Sequence, residues 1–197
     1  KNRKSRRSGE TIYPRGIGKM DPRESLLHAC AEEACQNESR YHLCSQGTLA
    51  ALLKAFGIHN PDVLRASTAF AGGGVRRGHM CGALSGALMF TGLLAGRDDL
   101  EMRDQAVRGL GYCDKVYRAF EERFGTVLCR RIQKDLYGRE YELTRQEERD
   151  EMHALMARMD FACPQVCGEA ARMAASAAFG ILDAGHPFAC SLVGIKL

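Results

Sequence analysis

The chain has 197 residues, of which 45% are apolar, and this is enough to build the core of one substantial domain. No stretch of about 18 uninterrupted apolar residues occurs, so no membrane-spanning helix is expected. The net charge of +4 comes from the first seven residues, which hold five Lys or Arg, and the rest of the chain is close to neutral. No aromatic residue interleaves with these charges, which disfavours nucleic-acid binding and favours a solvated or partner-docking arm.

The residue composition favours helices over strands. Trp is absent, and Ala, Leu, Gly and Met predominate over Val, Ile and Thr. This balance is typical of helices that pack closely through small residues, and no run of alternating apolar and polar residues indicates a strand. We therefore expect an all-α fold, a single helical bundle over residues 23–190. An extended basic arm over residues 1–22 would precede it, and a tail over residues 191–197 would follow.

Helix-start and helix-stop signals divide the first half of the chain. Asp21-Pro22 predicts a helix start, because Asp is a favoured N-cap and Pro suits the first helical turn. Gly57 predicts the end of a helix that follows Cys44-Ser45-Gln46. The predicted helices cover residues 21–36, 48–57, 60–70 and 81–94, with a flexible glycine-rich loop at 71–79. In the last helix, Gly and Ala pairs four residues apart predict close contact with a neighbouring backbone.

The second half of the chain has similar signals. Apolar residues recur at helical spacing from residue 98 to Phe124, and Gly125 ends that helix. Thr144 starts a capping-box pattern ahead of a mostly exposed helix. The segment after Asp183 is expected to pack in an extended conformation. The predicted helices cover residues 98–124, 128–136, 146–159 and 163–183.

Nine cysteines are many for a chain of this length, and their odd number excludes a complete set of intrachain disulfides. Cysteines on separate apolar elements can converge in the fold to form an iron–sulfur or metal site, or to carry out thiol–disulfide chemistry. A thiolate at a helix N-terminus faces unpaired N–H groups and the positive end of the helix dipole, so we expect a lowered pKa at Cys81 and Cys163. Four cysteines lie in separate segments, each at or near a predicted helix end: Cys44, Cys81, Cys129 and Cys163.

The sequence around these four cysteines resembles the C_GCAxxG_C_C family, a group of redox-active helical proteins. Cys44 matches the first cysteine of the family pattern, and Cys81, in Cys81-Gly82-Ala83-Leu84-Ser85-Gly86, matches the second. Cys129 matches the third cysteine, and Cys163, which an Ala-rich helix follows, matches the fourth. One position departs from the pattern, because Met80 stands before Cys81 where the family has Gly. The resemblance covers about residues 38–182.

This resemblance implies a cofactor. The split-Soret type cytochrome, a relative in which this fold is joined to a haem-binding region, carries an iron–sulfur centre, and this implies a [2Fe-2S]-type cluster here. The four matched cysteines would be its ligands. Gly82 and Gly78 have no Cβ, so backbone amides near them could approach the cofactor and tune its potential. No Cys-x-x-Cys-His motif occurs, so no covalent haem is expected.

Three further residues are candidates for the same site. Cys167 follows Cys163 by four residues on one helical face, a spacing that suits metal or cluster ligation and strains a disulfide. His79 lies two residues before Cys81, and His replaces Cys in some two-iron centres. Cys113 could replace or resolve one of the four matched cysteines. The remaining cysteines, Cys30, Cys35 and Cys190, are more simply explained as packing residues.

Three functions are compatible with this pattern. We favour an electron-transfer protein or subunit with an iron–sulfur cluster, which would act with a redox partner protein as a homodimer or in a larger complex. The second is a thiol–disulfide oxidoreductase, in which Cys81 attacks as a thiolate and Cys129 or Cys163 resolves the mixed disulfide. The third is a binding module that Zn²⁺ stabilises. The chain begins with Lys rather than Met, so cytoplasmic and periplasmic locations both stay open, export included.

Overall fold

Residues 21–194, the part of the chain that a computed structural model describes, form nine α-helices and one 3-10 turn (Ser67–Phe70), which loops connect. These residues contain no β-strand, so the all-α prediction is confirmed. Nearly all of the predicted basic arm, residues 1–22, lies outside the described part, and so do the last three residues of the predicted tail. The helices are α1 (Pro22–Tyr41), α2 (Cys44–Ala55), α3 (Pro61–Ala66), α4 (Gly82–Ala95), α5 (Arg103–Phe124), α6 (Cys129–Tyr137), α7 (Gln146–Met156), α8 (Cys163–Asp183) and α9 (Pro187–Leu192).

Helices α1, α2, α4 and α8 form the centre of the bundle, and α5 packs against α4 and α8. Phe56, Phe90 and Phe120 are fully buried in this core. The inner face of α8 consists largely of alanines, which are short enough to let neighbouring helices approach closely. These buried alanines are Ala170, Ala171, Ala174, Ala175 and Ala178.

The N-terminal half of α4 touches the backbone of α2 at two glycines. A Cβ atom on Gly86 would lie 2.4 Å from the Ser45 carbonyl oxygen, and one on Gly82 would lie 2.3 Å from Cys44 Sγ. At Gly86 the obstacle is backbone, so only glycine fits there without a shift of α2. At Gly82 the nearest backbone atoms are the Phe70 carbonyl oxygen at 2.9 Å and the Ser45 nitrogen at 3.3 Å, so a side chain would be crowded there as well. The close backbone contact predicted from the Gly spacing is therefore confirmed, and it brings the starts of α2 and α4 together.

Several predicted boundaries are wrong for local reasons. Helix α1 continues to Tyr41 and ends where His42 adopts a left-handed conformation with φ 54°. Helix α5 starts at Arg103 rather than at residue 98, because residues 97–102 form turns in which the Arg97 guanidinium donates to the Leu100 carbonyl.

Two further expectations for the second half of the chain are corrected. The capping box at Thr144 does not form, because the Thr144 hydroxyl donates to the Glu142 carboxylate and Arg145 is the N-cap of α7. The segment expected to be extended contains helix α9, in which the His186 ring accepts a hydrogen bond from the Ala189 N–H. Within residues 21–194, none of the helices combines the length and the apolar character that crossing a membrane requires.

The contact between α2 and α4 predicts that Gly86→Ala lowers the free energy of unfolding by about 1–3 kcal/mol, because the added methyl group has to displace the Ser45 backbone. Gly92→Ala, six residues later on the same helix, is the matched control. A Cβ there meets nothing within 4 Å, so this variant should be as stable as the wild type or up to about 1 kcal/mol more stable. Urea unfolding of the three proteins measures the difference, and equal stabilities would show that the two backbones are not in contact.

Candidate functional site

Five cysteines line one cavity of about 110 Å³ near the start of α2, α4, α6 and α8. They are the four cysteines singled out in the sequence together with the candidate Cys167: Cys44, Cys81, Cys129, Cys163 and Cys167. Side chains from the end of α1 and from α7 complete the wall of the cavity. The structure therefore brings together thiols from four segments that are far apart in the sequence.

Four helices begin at this cavity, each with a cysteine at its start. Cys44, Cys129 and Cys163 are the first residues of α2, α6 and α8, and Cys81 is the N-cap of α4. Cys167 lies one turn into α8. Because N–H groups in the first turn of a helix have no partner within that helix, such positions surround the cavity with hydrogen-bond donors.

A short antiparallel contact places Cys81 beside Cys129. Met80 pairs with Leu128 in an isolated bridge. The Cys81 N–H donates to the Val127 carbonyl at 2.8 Å, and the Cys129 N–H donates to the His79 carbonyl at 2.6 Å. This pairing joins segments almost fifty residues apart, and no local pattern in the sequence indicates it.

The glycine-rich loop before Cys81, expected from its composition to be flexible, forms a hydrogen-bonded turn. Five consecutive residues, Gly72 to Arg76, have left-handed backbone angles with φ between 40° and 79°. Glycine adopts this conformation readily, and the first three positions of the turn are glycines. The turn closes with hydrogen bonds from the Gly78 N–H to the Gly72 carbonyl and from the His79 N–H to the Gly73 carbonyl.

Each of the four matched cysteines has a neighbouring N–H or O–H group that lowers the pKa of its thiol. At Cys81 these groups are the backbone N–H groups of Ala83 and Leu84, and at Cys44 the group is the Gly72 N–H. The remaining two have side-chain partners. Gln133 Nε2 donates a hydrogen bond to Cys129 Sγ at 3.3 Å. The Tyr137 hydroxyl lowers the pKa of the Cys163 thiol, and its oxygen also accepts a hydrogen bond from the Cys163 backbone N–H at 2.9 Å.

Burial outweighs these donors. It raises the pKa of Cys81 to about 11 and that of Cys163 to about 12, and it raises the pKa values of the other three thiols well above the usual range. The lowered pKa expected at Cys81 and Cys163 is therefore wrong for the metal-free thiols. The N–H groups at the start of α4 do favour the Cys81 thiolate. The free-energy cost of removing the thiolate charge from water is nevertheless larger than the stabilisation that these hydrogen bonds provide.

A carboxylate that sequence reasoning missed also lines the cavity. Glu38, in the last turn of α1, is only 5% exposed, and its Oε2 atom has no hydrogen-bond partner among residues 21–194. Burial raises the pKa of Glu38 to about 8, and its negative charge would raise the pKa of each of the five cavity thiols. A signal was present, because Glu38 follows the buried Cys30 and Ala34 at intervals of four residues and so continues the apolar face of α1.

Two stacked histidines form another part of the wall. The rings of His42 and His153 lie 3.9 Å apart and 14° from parallel. Burial, followed by the charge of His42, lowers the pKa of His153 to about 4, so this imidazole is neutral near pH 7. His42 Nδ1 is buried without a hydrogen-bond partner in the described part of the chain. Neither residue had a recognisable pattern in the sequence.

The other predicted site residues lie in different places. Gly82 packs against Cys44 but does not line the cavity, and Gly78 lies beneath the side chain of Arg130. His79 is exposed, and Cys113 lies on α5 with its Sγ 4.0 Å from the Leu88 carbonyl; neither lines the cavity. The three cysteines assigned to packing also lie outside it, with Cys30 in the core, Cys35 half-buried and Cys190 exposed.

The donor chemistry of the cavity suits a cationic group. Five thiols and one carboxylate repel one another when they are ionised, and a bound cation would reverse this effect by stabilising the thiolates. Within residues 21–194, however, no three His, Cys, Asp or Glu side chains meet in a group that could hold a single metal ion. The donors therefore surround a volume rather than one point.

A protein-family model matches most of the chain. The family model described as "Putative redox-active protein (C_GCAxxG_C_C)" matches residues 42–177. This range covers more than half of the chain and includes all five cysteines of the cavity. The chain has no match among curated proteins or among solved structures.

The raised pKa values predict slow alkylation of the cavity thiols in the reduced, metal-free protein. At pH 8, Cys81 has on the order of 100-fold less thiolate than a thiol of ordinary pKa, so iodoacetamide should modify the exposed Cys190 long before Cys81. The rate at Cys81 should rise about tenfold for each pH unit up to its pKa. Mass spectrometry of peptides from timed reactions measures both sites.

The same reaction in guanidinium chloride is the control, because unfolding should make all nine cysteines react at similar rates. If Cys81 in the folded protein reacted as fast as Cys190, its thiolate would be stabilised, and burial would not control the reactivity of the site.

Proposed function

Since the chain belongs to the C_GCAxxG_C_C family of redox-active proteins, we propose that it holds an iron–sulfur cluster in its cysteine-lined cavity and exchanges electrons with a partner protein. The observation that carries this proposal is the convergence of five thiols at the starts of four helices. Cys44, Cys81, Cys129 and Cys163 would be the ligands. When bound, the cluster would accept and release single electrons.

Burial of the thiols supports a cluster over metal-free thiol chemistry. A thiol–disulfide oxidoreductase needs a nucleophilic thiolate near neutral pH, and here burial keeps the pKa of Cys81 near 11. A metal ligand has a different requirement, because the metal itself drives deprotonation of the thiol as it binds. The arrangement that makes Cys81 a poor nucleophile is therefore compatible with a role as a ligand.

The spread of the donors supports several metal ions over one. A structural zinc site needs four donors around a single ion, and no three candidate side chains within residues 21–194 form such a group. In a [2Fe-2S] cluster each iron takes only two cysteine sulfurs, so the protein donors need to meet only in pairs. The N–H and O–H groups beside the four sulfurs also fit this proposal, because hydrogen bonds to ligand sulfurs help to set the reduction potential of a cluster.

The proposal predicts about two irons and two acid-labile sulfides per chain in protein purified without oxygen, as in a [2Fe-2S] cluster. Metal and sulfide analysis together with the visible spectrum tests this. Cys81→Ser should lose most of the iron and colour, because it removes a ligand from the cavity wall. Cys113→Ser, on α5 and outside the cavity, is the matched control and should keep both.

Two other results would favour one of the alternative functions. A colourless protein with neither iron nor sulfide, never exposed to air or chelator, would contradict the proposal and favour thiol–disulfide chemistry. One zinc per chain without iron would favour a structural metal site.

A further inference from the structure

We propose that the Glu38 carboxylate is an oxygen ligand of the same metal centre, so that the site combines sulfur and oxygen donors. This inference rests on the proposed iron–sulfur function and changes its ligand set, because Glu38 of α1 would take the place of one of the four cysteines. It would make one iron of the centre chemically different from the other.

The first argument is the environment of the Glu38 carboxylate. The side chain lines the cavity, and its Oε2 atom is buried without a hydrogen-bond partner in the described part of the chain. No side chain of the described residues, basic or otherwise, donates a hydrogen bond to this oxygen. The nearby guanidinium of Arg149 is used elsewhere, because it donates to the Leu143 carbonyl and to the Gln146 side chain. An isolated buried carboxylate is costly unless a proton or a cation neutralises it.

The second argument is a comparison with other glutamates of the same helix. Glu32 is exposed beside His28, and Glu33 forms an ion pair with Lys54 at 2.8 Å. Both show the usual arrangement for a charged residue on a helix surface. Glu38 instead continues the buried face of α1, where an apolar residue would pack without a desolvation cost. Its position therefore favours a ligand role over a role in packing.

The third argument is the chemistry of its neighbours. Glu38 and the five cysteines line the same cavity, so its carboxylate lies among the proposed ligands. Carboxylates and thiolates both bind iron in proteins. The Cys167 S–H group points to the Cys44 carbonyl at 3.9 Å, an arrangement that suits a protonated thiol. Glu38 Oε2 and His42 Nδ1 both belong to cavity-lining residues and both lack a hydrogen-bond partner among residues 21–194, and of these two atoms only the carboxylate oxygen can supply an anionic ligand.

The test compares wild-type protein with Glu38→Gln, a substitution of nearly equal shape that removes the anionic oxygen donor. The full-length chain is purified anaerobically from cells grown on ⁵⁷Fe, and Mössbauer spectra are recorded together with iron and sulfide content. Wild-type protein should show two iron sites with different isomer shifts. Glu38→Gln should lose this difference or at least half of its iron, whereas the exposed Glu32→Gln should match the wild type.

Each outcome decides a separate question. Full iron and sulfide in the wild type, with a Glu38→Gln spectrum that superimposes on it, would overturn the role of Glu38 and leave the cluster intact. If Glu38→Gln does not fold, the wild-type spectrum decides alone, since two identical sulfur-ligated irons would overturn the proposal. Wild-type protein without iron and sulfide would overturn the iron–sulfur function itself, and the ligand role of Glu38 with it.

Discussion

The contact between the backbones of α2 and α4 at Gly82 and Gly86 is the constraint on which the site depends. Because neither position has room for a Cβ, the two helices start side by side, and Cys44 lies directly against the first turn of α4. The bridge between Met80 and Leu128 then adds the start of α6, which carries Cys129. The thiols of three separate segments thus meet because the backbones that carry them approach one another closely.

The same arrangement makes the site electrostatically costly when it is empty. The cavity thiols and the buried Glu38 carboxyl group stay neutral at pH 7 by holding their protons, as their raised pKa values indicate. A bound cation would release those protons and turn mutual repulsion into attraction. Stability of the fold and occupancy of the site are therefore expected to be coupled, as in other proteins whose metal ligands lie in the interior.

The sequence predicts those parts of the structure that depend on local patterns. Composition indicates the all-α class, helix signals locate most of the helices, and the cysteine pattern identifies residues that do meet at one cavity. The bridge at Met80 and the left-handed turn from Gly72 are missed, because hydrogen bonds between distant segments leave no periodic signal. Thr144 shows the opposite error, since its capping pattern is present but its hydroxyl bonds to Glu142 instead. Glu38 could have been found from the spacing along α1.

The packing of α1 on α8 explains how a residue outside the matched family range reaches the cavity. A Cβ on Gly168 would lie 2.9 Å from the Ala31 carbonyl oxygen, so the backbones of α1 and α8 also approach closely, though less closely than those of α2 and α4 at Gly86. Gly168 directly follows Cys167, and Glu38 lies two helical turns after Ala31. One glycine contact therefore aligns the last turn of α1 with the start of α8. This fixes a carboxylate beside the thiols of α8 by the same device that places Cys44 beside Cys81.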